Sequence, residues 1–339
     1  MYRRIVLKKF GGPEQLELRE EPVLPEPSVG QLRVKVSAAG VGFTDTIVRQ
    51  GQYVGVKDKP PFTPGYDWYG VVDAVGDGVE GFAIGDTVAD MPVIGSYTEY
   101  LCVAADRVVK TPPGLDPAEA VAMILSYTTA YQMLHREVSL TPGQSCLIHA
   151  AGGAVGTAVL ELGRMMGLTL YGTGSPSKKA VIEGFGAHHI DYTRGDVQAQ
   201  LMAATDGQGV DLVLDTLGAH SWTESYRCLK KGGTLLGFGA MHLTTGQAST
   251  ASVIMGFAKL LALWKCLPDG RHTGFYNIQS RREKHPEEFK ADVAELLGWL
   301  AQGKLKPVVS ARCTMADIGA LHRRLDSGDV VGKAALLMG

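Results

Sequence analysis

The sequence predicts an α/β chain in two parts, a small antiparallel β-barrel followed by a doubly wound parallel sheet. Three observations carry this expectation. The first part alternates short strands with glycine-rich turns. The second alternates apolar runs with helical segments, the pattern of a parallel sheet with crossover helices. A glycine-rich turn joins the first apolar run of that second part to the helix after it.

In the barrel segment Leu32, Val34 and Val36 alternate with polar neighbours, the period of a half-buried strand. Turns follow at Gly76-Asp77-Gly78, Gly81 and Gly85-Asp86. From Pro142 five apolar runs appear: Ser145–His149, Thr169–Gly172, His188–Tyr192, Val210–Asp215 and Thr234–Phe238. Between the first two, Val155, Ala158, Val159, Leu162 and Met166 share one helix face. Beyond Gly239 the chain reads as irregular and carries a basic cluster, Arg281, Arg282 and Lys284. Glu287 to Leu300 then reads as an amphipathic helix.

A length of 339 residues favours two domains, at ~100–200 residues each. The net charge of -2 argues against nucleic acid or an anionic membrane as the main partner. The first residues hold no apolar run of a signal peptide. The apolar stretch Val253 to Trp264 contains Lys259 and falls short of the ~20 residues of a membrane span. Cys102, Cys146, Cys228, Cys266 and Cys313 are odd in number and far apart, so no disulfide framework or metal pair is expected. A cytoplasmic protein acting on a small molecule fits these facts.

The strongest local signal is His149-Ala-Ala-Gly-Gly-Ala-Val-Gly156, between an apolar strand and an apolar-faced helix. Ala151, Gly153 and Gly156 take the three small positions of a dinucleotide-binding, Rossmann-type fingerprint. They allow a tight turn, a close approach to pyrophosphate, and tight packing of helix on strand. The helix start at Gly153, Ala154 and Val155 offers N–H groups and partial positive charge to phosphates. An ordinary glycine-rich turn is the competing reading, and the four further strand–helix steps weigh against it. An NAD enzyme places an acid about 20 residues on, for the ribose 2′-hydroxyl. Here no acid lies between Glu161 and Glu183. Ser175, Lys178 and Lys179 offer donors to a 2′-phosphate instead, which points to NADPH. The two lysines also suit the start of a solvated helix.

With these residues in view, the sequence resembles the zinc-independent quinone oxidoreductase branch of the medium-chain dehydrogenase/reductase superfamily. The likeness runs through Gly40-Val-Gly-Phe-Thr-Asp45, Arg49-Gln-Gly-Gln-Tyr53, Pro64-Gly-Tyr-Asp-Trp-Tyr-Gly70, Gly85-Asp-Thr-Val88 and Gly95-Ser-Tyr-Thr-Glu-Tyr100. It continues through the fingerprint, Val210-Asp-Leu-Val-Leu-Asp-Thr-Leu-Gly218 and Val331-Gly-Lys333. The resemblance implies a GroES-like catalytic domain over residues 1–124, a Rossmann NADPH-binding domain over 125–265, and a segment 266–339 returning to the catalytic domain. It also implies an active site in the cleft between domains, and a homodimer.

By the same resemblance, Lys179 and Tyr192 take 2′-phosphate positions and Thr129 lies near the nicotinamide amide. Gly237, Phe238 and Gly239 end the strand that flanks the nicotinamide, and Lys333 closes the cofactor site. Tyr53 faces the substrate as the candidate proton donor, with Gly42 and Phe43 beside it. In zinc alcohol dehydrogenases of this superfamily a Cys stands at the place of Gly42, and His-Glu at the place of Tyr66-Asp67. Neither Gly nor Tyr offers the ligand zinc prefers, so no metal is expected. Relatives commonly carry Asn at the place of Gly42. Asp45 reads as holding a helix start. The expected reaction is hydride transfer from NADPH to a quinone or other α,β-unsaturated carbonyl. Enoyl-thioester reduction is the alternative within the enzyme class, and an NADPH-binding protein of the VAT-1 or crystallin kind is the alternative outside it.

Overall fold

The computed structural model describes residues 1–339. The chain divides into two compact units, one of Met1–Thr128 with Glu287–Gly339, the other of Thr129–Pro286.

The second unit is built on six strands: β1 (Ser145–Ile148), β2 (Thr169–Gly174), β3 (His188–Asp191), β4 (Val210–Asp215), β5 (Leu229–Gly237) and β6 (His272–Phe275). Their order across the sheet is β3-β2-β1-β4-β5-β6, and every neighbouring pair is parallel. This is the dinucleotide-binding order, with its switch point between β1 and β4. All four residues of β1 are buried, as a central strand covered on both faces requires. Helix α1 (Ala154–Met165) follows β1 and buries Ala158, Val159 and Leu162. Trp222 is fully buried in the core and meets Phe257 and Phe275 edge to face.

Beyond Gly239 the chain is regular where the sequence reads as irregular. It forms helices Thr250–Ala258 and Ile278–Lys284, with β6 between them pairing along β5. The first helix hides its periodicity because Ile254 and Met255 face outward, 63% and 53% exposed. Strand β6 has only four residues, one of them Gly274. Its pairing carries this unit to Pro286, past the return expected at residue 266. The basic cluster sits on the second helix, where Arg281 is ion-paired with Glu137.

The first unit centres on a bulged strand, Gln31–Val41. It pairs antiparallel with Trp68–Val75, Tyr100–Ala104 and, at its far end, Lys333–Leu337 from the other end of the chain. Leu32, Val34 and Val36 pack with Trp68, Val72 and Val88 as one buried cluster, so the alternating strand reads correctly. Helix Pro286–Ala301 buries Phe289, Val293, Leu296 and Leu297. No helix is long and apolar enough to cross a membrane.

One buried polar network ties the strand ends at the switch point. Asp215 accepts from the Leu217 and Gly218 amides through Oδ1, and from the Ser221 and Ser225 hydroxyls through Oδ2. The Ser225 hydroxyl lies 3.0 Å from His149 Nε2, and His149 Nδ1 lies 3.3 Å from the Thr173 hydroxyl. Asp215→Ala should therefore cost roughly 2–4 kcal/mol, because it strands four donors, three of them buried. Denaturant titration measures this, and a loss below about 1 kcal/mol would show that the network is dispensable.

Candidate active site

In the second unit the fingerprint folds as its residue types demand. Ala150 turns the chain with φ of 55°, and the Gly153 amide bonds back to the Ala150 carbonyl at 3.0 Å. A Cβ on Gly156 would sit 2.4 Å from that same carbonyl oxygen, so the helix packs this closely only with glycine there. Ala151 is buried, and a Cβ on Gly172 of β2 would reach its methyl at 2.6 Å. Gly153 caps α1 with no side-chain hydrogen bond, and the first turn holds no acid. The first N–H groups, at partly exposed Ala154 and Val155, are therefore presented without a protein cap.

The residues past β2 divide into two sets. The Lys178 stem lies over the fingerprint, since a Cβ on Gly152 would meet its Cβ and Cγ at 2.9 Å. Lys179 turns away to Glu183, 3.7 Å off, in an exposed pair. Ser175 meets the Ser177 hydroxyl at 3.0 Å, and Tyr192 is 56% exposed. Lys179 lines a hollow of about 420 Å³ together with His189, Asp191 and Arg194. Lys178 is thus the nearer lysine to the fingerprint. Its stem contact depends on a glycine 26 positions earlier, which no local pattern announces.

Two further features suit a nicotinamide dinucleotide. The Thr129 hydroxyl is buried without a hydrogen-bond partner, an orphan that an amide group would satisfy. At the end of β5, Gly237 and Gly239 stand where side chains have no room. A Cβ on Gly239 would meet the Thr216 hydroxyl at 2.5 Å, and one on Gly237 would meet Trp222 at 3.1 Å. Phe238 between them is partly buried and donates its amide to the Asp215 carbonyl at 3.0 Å.

In the first unit, Tyr53 lies on a loop and is partly exposed, with its hydroxyl 2.6 Å from that of Tyr66. The rings meet edge to face, 5.8 Å apart at 86°. Tyr66 is 1% exposed, and its carbonyl accepts the amide of Val93, a β-branched residue held at φ of 83°. A Cβ on Gly55 would meet the Tyr53 ring at 2.6 Å, so glycine keeps that side clear. Gly42 has open space, the nearest atom to a Cβ there being Asp45 Oδ2 at 3.9 Å. Phe43 is partly buried at the start of helix Phe43–Arg49.

Two buried carboxyls complete this region. Asp45 accepts the Gly42 amide at 2.8 Å through Oδ2, which makes it the helix-start residue its sequence position suggests. Its other oxygen is buried without a hydrogen-bond partner. Burial pushes the Asp45 carboxyl up to about 7, Lys333 draws it down, and Asp67 raises it further. Asp67 is also raised by burial, against the pull of Lys333. Lys333 Nζ lies 3.2 Å from Asp67 Oδ2, and the pair is almost wholly buried. Within its own unit, Lys333 therefore neutralises Asp67, an engagement that its expected place at the cofactor does not include. Tyr66 was conspicuous in sequence only for what it replaces; its pairing with Tyr53 emerges from the fold.

The Asp45 shift has a sign. A carboxyl raised in the folded state binds more protons folded than unfolded between about pH 4 and 7, so it costs the wild type stability as pH rises through that window. Asp45→Asn should accordingly gain stability relative to wild type between pH 4 and 8. Paired unfolding curves across that range measure the difference, and a flat or opposite trend would refute the assignment.

Residues 28–113 match the family model described as an alcohol dehydrogenase GroES-like domain, and residues 185–336 the one described as a zinc-binding dehydrogenase. The mouse synaptic vesicle membrane protein VAT-1 homolog-like is 31% identical, over 98% of this chain and 81% of its own. A quinone oxidoreductase of Pseudomonas aeruginosa is 31% identical, over 99% of this chain and all of its own. The solved structure of the Escherichia coli quinone oxidoreductase complexed with NADPH superposes with a TM-score of 0.87 at 28% identity, covering 99% of this chain and 100% of that one. With its GroES-like and parallel-sheet units and these full-length relatives, the chain belongs to the medium-chain dehydrogenase/reductase superfamily of oxidoreductases, beside the quinone oxidoreductases and the VAT-1 proteins.

Proposed function

We propose that the protein is a zinc-independent, NADPH-dependent reductase of quinones or other α,β-unsaturated carbonyls. The observation that carries this reading is the hydroxyl pair Tyr53–Tyr66, a proton source where the zinc relatives hold a metal ligand. Gly42 brings no side chain, Tyr66 is turned to Tyr53, and Asp67 is paired with Lys333. None of the three is free to serve zinc as its counterparts do. The cofactor, when bound, supplies the hydride.

The protein's own residues do the remainder. The uncapped start of α1 holds the pyrophosphate, the Thr129 hydroxyl meets the nicotinamide amide, and Gly237, Phe238 and Gly239 bound the ring. Ser175, Lys178, Lys179 and Tyr192 receive the 2′-phosphate, Lys179 exchanging its exposed pair with Glu183 for it. Tyr53 gives a proton to the developing enolate or hydroquinone oxygen, with Gly42 and Phe43 shaping the space around the acceptor. A conjugated acceptor spreads the incoming charge over several atoms, so a phenol is a sufficient donor. An isolated ketone concentrates that charge on one oxygen and calls for a metal or a stronger acid.

The five free cysteines accord with a reducing compartment, and a homodimer is proposed on family likeness alone. A second reading, a nucleotide-binding protein with little turnover, is favoured by the VAT-1 relatives at 31% identity. NADPH consumption across a panel of quinones and enones decides between them.

NADPH should bind at least about tenfold more tightly than NADH, and Lys179→Glu should abolish that preference by setting a carboxylate against the phosphate. Equal affinity of the unaltered protein for both cofactors would overturn the assignment. For the reaction, NADPH deuterated at C4 is supplied with a simple enone. Deuterium should appear on the β-carbon. Label on the carbonyl carbon, or no turnover across a panel of quinones and enones, would refute the proposed chemistry.

A further inference from the structure

We propose that Tyr66 is a positioning residue that makes Tyr53 the outward-facing proton donor of the site. The inference rests on the conjugate-reduction reading above and deepens it.

Two phenols joined by one O–H···O bond share it asymmetrically: one donates and the other accepts. Tyr53 is the partly exposed member and Tyr66 the one buried to 1%. For Tyr53 to keep its hydrogen for an acceptor outside, its oxygen must accept from the inner neighbour. Tyr66, at 2.6 Å, is that neighbour. The arrangement is then a short chain running from the Tyr66 hydroxyl to the Tyr53 oxygen, and from the Tyr53 hydroxyl to the acceptor. Hydrogen bonds in such a chain strengthen one another.

The geometry keeps that chain in register. The edge-to-face packing of the rings fixes their relative angle. Gly55 leaves the Tyr53 ring its place, and the carbonyl of Tyr66 is tied to the Val93 amide. The buried surroundings give the inner donor its effect. Burial and the nearby Asp45 both raise the Tyr53 phenol above its ordinary value, and the Tyr66 bond is the one contribution that lowers it. Without Tyr66, Tyr53 would be a weaker acid facing the same substrate. Asp45 is the charged group acting on Tyr53, and it is itself acted on by Lys333 and Asp67.

The β-carbon gains the hydride and its electron pair, and the π electrons shift to the carbonyl oxygen as an enolate. The Tyr53 O–H bond breaks and its proton forms the new O–H bond of the enol, which tautomerises to the saturated ketone. The tyrosinate left behind is held by the Tyr66 hydroxyl and takes its replacement proton from water.

The test is a double-mutant cycle on the cofactor-loaded enzyme, with a simple enone. Tyr53→Phe should lower kcat by roughly ten- to a hundredfold, as loss of a general acid does. Tyr66→Phe should lower it roughly tenfold, leave KM for NADPH unchanged, and raise the solvent deuterium isotope effect as proton transfer becomes limiting. The double variant should be no slower than Tyr53→Phe, because Tyr66 acts only through Tyr53. Tyr66→Leu, which removes the same hydroxyl with a smaller side chain, should also slow the enzyme and add nothing to Tyr53→Phe; it keeps the test open if Tyr66→Phe folds poorly. Wild-type kcat in Tyr66→Phe, or in Tyr66→Leu where that variant stands in, would overturn the proposal alone. Equal further losses in the Tyr53→Phe background would mark Tyr66 as structural and overturn it too. Absence of β-carbon label with the unaltered enzyme would overturn the reaction reading, and the proposal with it.

Discussion

The parallel-sheet unit depends on one buried carboxylate. Asp215 ends β4 at the switch point and accepts two amides from the loop after it and two serine hydroxyls from the following helix. Through Ser225 and His149 the network reaches Thr173 on β2, whose hydroxyl accepts the Ala150 amide at 3.2 Å. The Thr173 carbonyl takes the next amide, Ala151, at 2.9 Å. The fingerprint turn is thus anchored from β2 and β4 as well as by its own Gly153 amide. A charge held away from water is tolerable only when so fully bonded, and that cost is repaid in a loop fixed before any ligand arrives. The glycines supply closeness; the carboxylate network supplies rigidity.

The first unit is governed by a different constraint, that its sheet is closed by chain from both ends. Strand Lys333–Leu337 lies antiparallel to the segment Ala38–Val41, with Ala335 opposite Gly40. Such a pairing spans nearly the whole sequence, so it can form only once the second unit has been looped out. The buried pair of Asp67 and Lys333 sits at the same place and cements it. A lysine with no water must find its countercharge, and Asp67 is that countercharge. The return of the C-terminal segment and the neutralisation of a buried acid are therefore one event.

Much of this was legible in the sequence, for physical reasons that also explain what was not. The parallel strands declared themselves because central strands are apolar on both faces, and α1 because one of its faces must be buried. Leu32, Val34 and Val36 showed the alternation of a sheet with one face in the core. Strand β6 escaped because four residues with a glycine carry too little pattern, and helix Thr250–Ala258 escaped because exposed Ile254 and Met255 blur its apolar face. At the site, the fingerprint was local and therefore readable. Thr129, Tyr192 and Lys333 were reachable only through likeness to a family. The Tyr53–Tyr66 bond and the stem of Lys178 over Gly152 join residues distant in sequence, and no spacing rule anticipates such contacts.

The departures at positions 42, 66 and 67 are best understood together. A cation approaching Asp67 would have to displace Lys333, whose ammonium would then be left buried and unpaired, a loss that breaking a buried ion pair makes large. Room for this internal cation is made by Gly40, where a Cβ would stand 2.1 Å from Asp67 Oδ1 and 2.5 Å from Lys333 Nζ. Gly40, Asp67 and Lys333 thus form one unit in which a lysine already neutralises the acid that a metal would otherwise meet. On the proposed reading, with that charge satisfied inside the protein and no side chain at Gly42, the chemistry of the region falls to its phenols. On that reading, the GroES-like unit changes from a platform for a Lewis acid into one for a Brønsted acid.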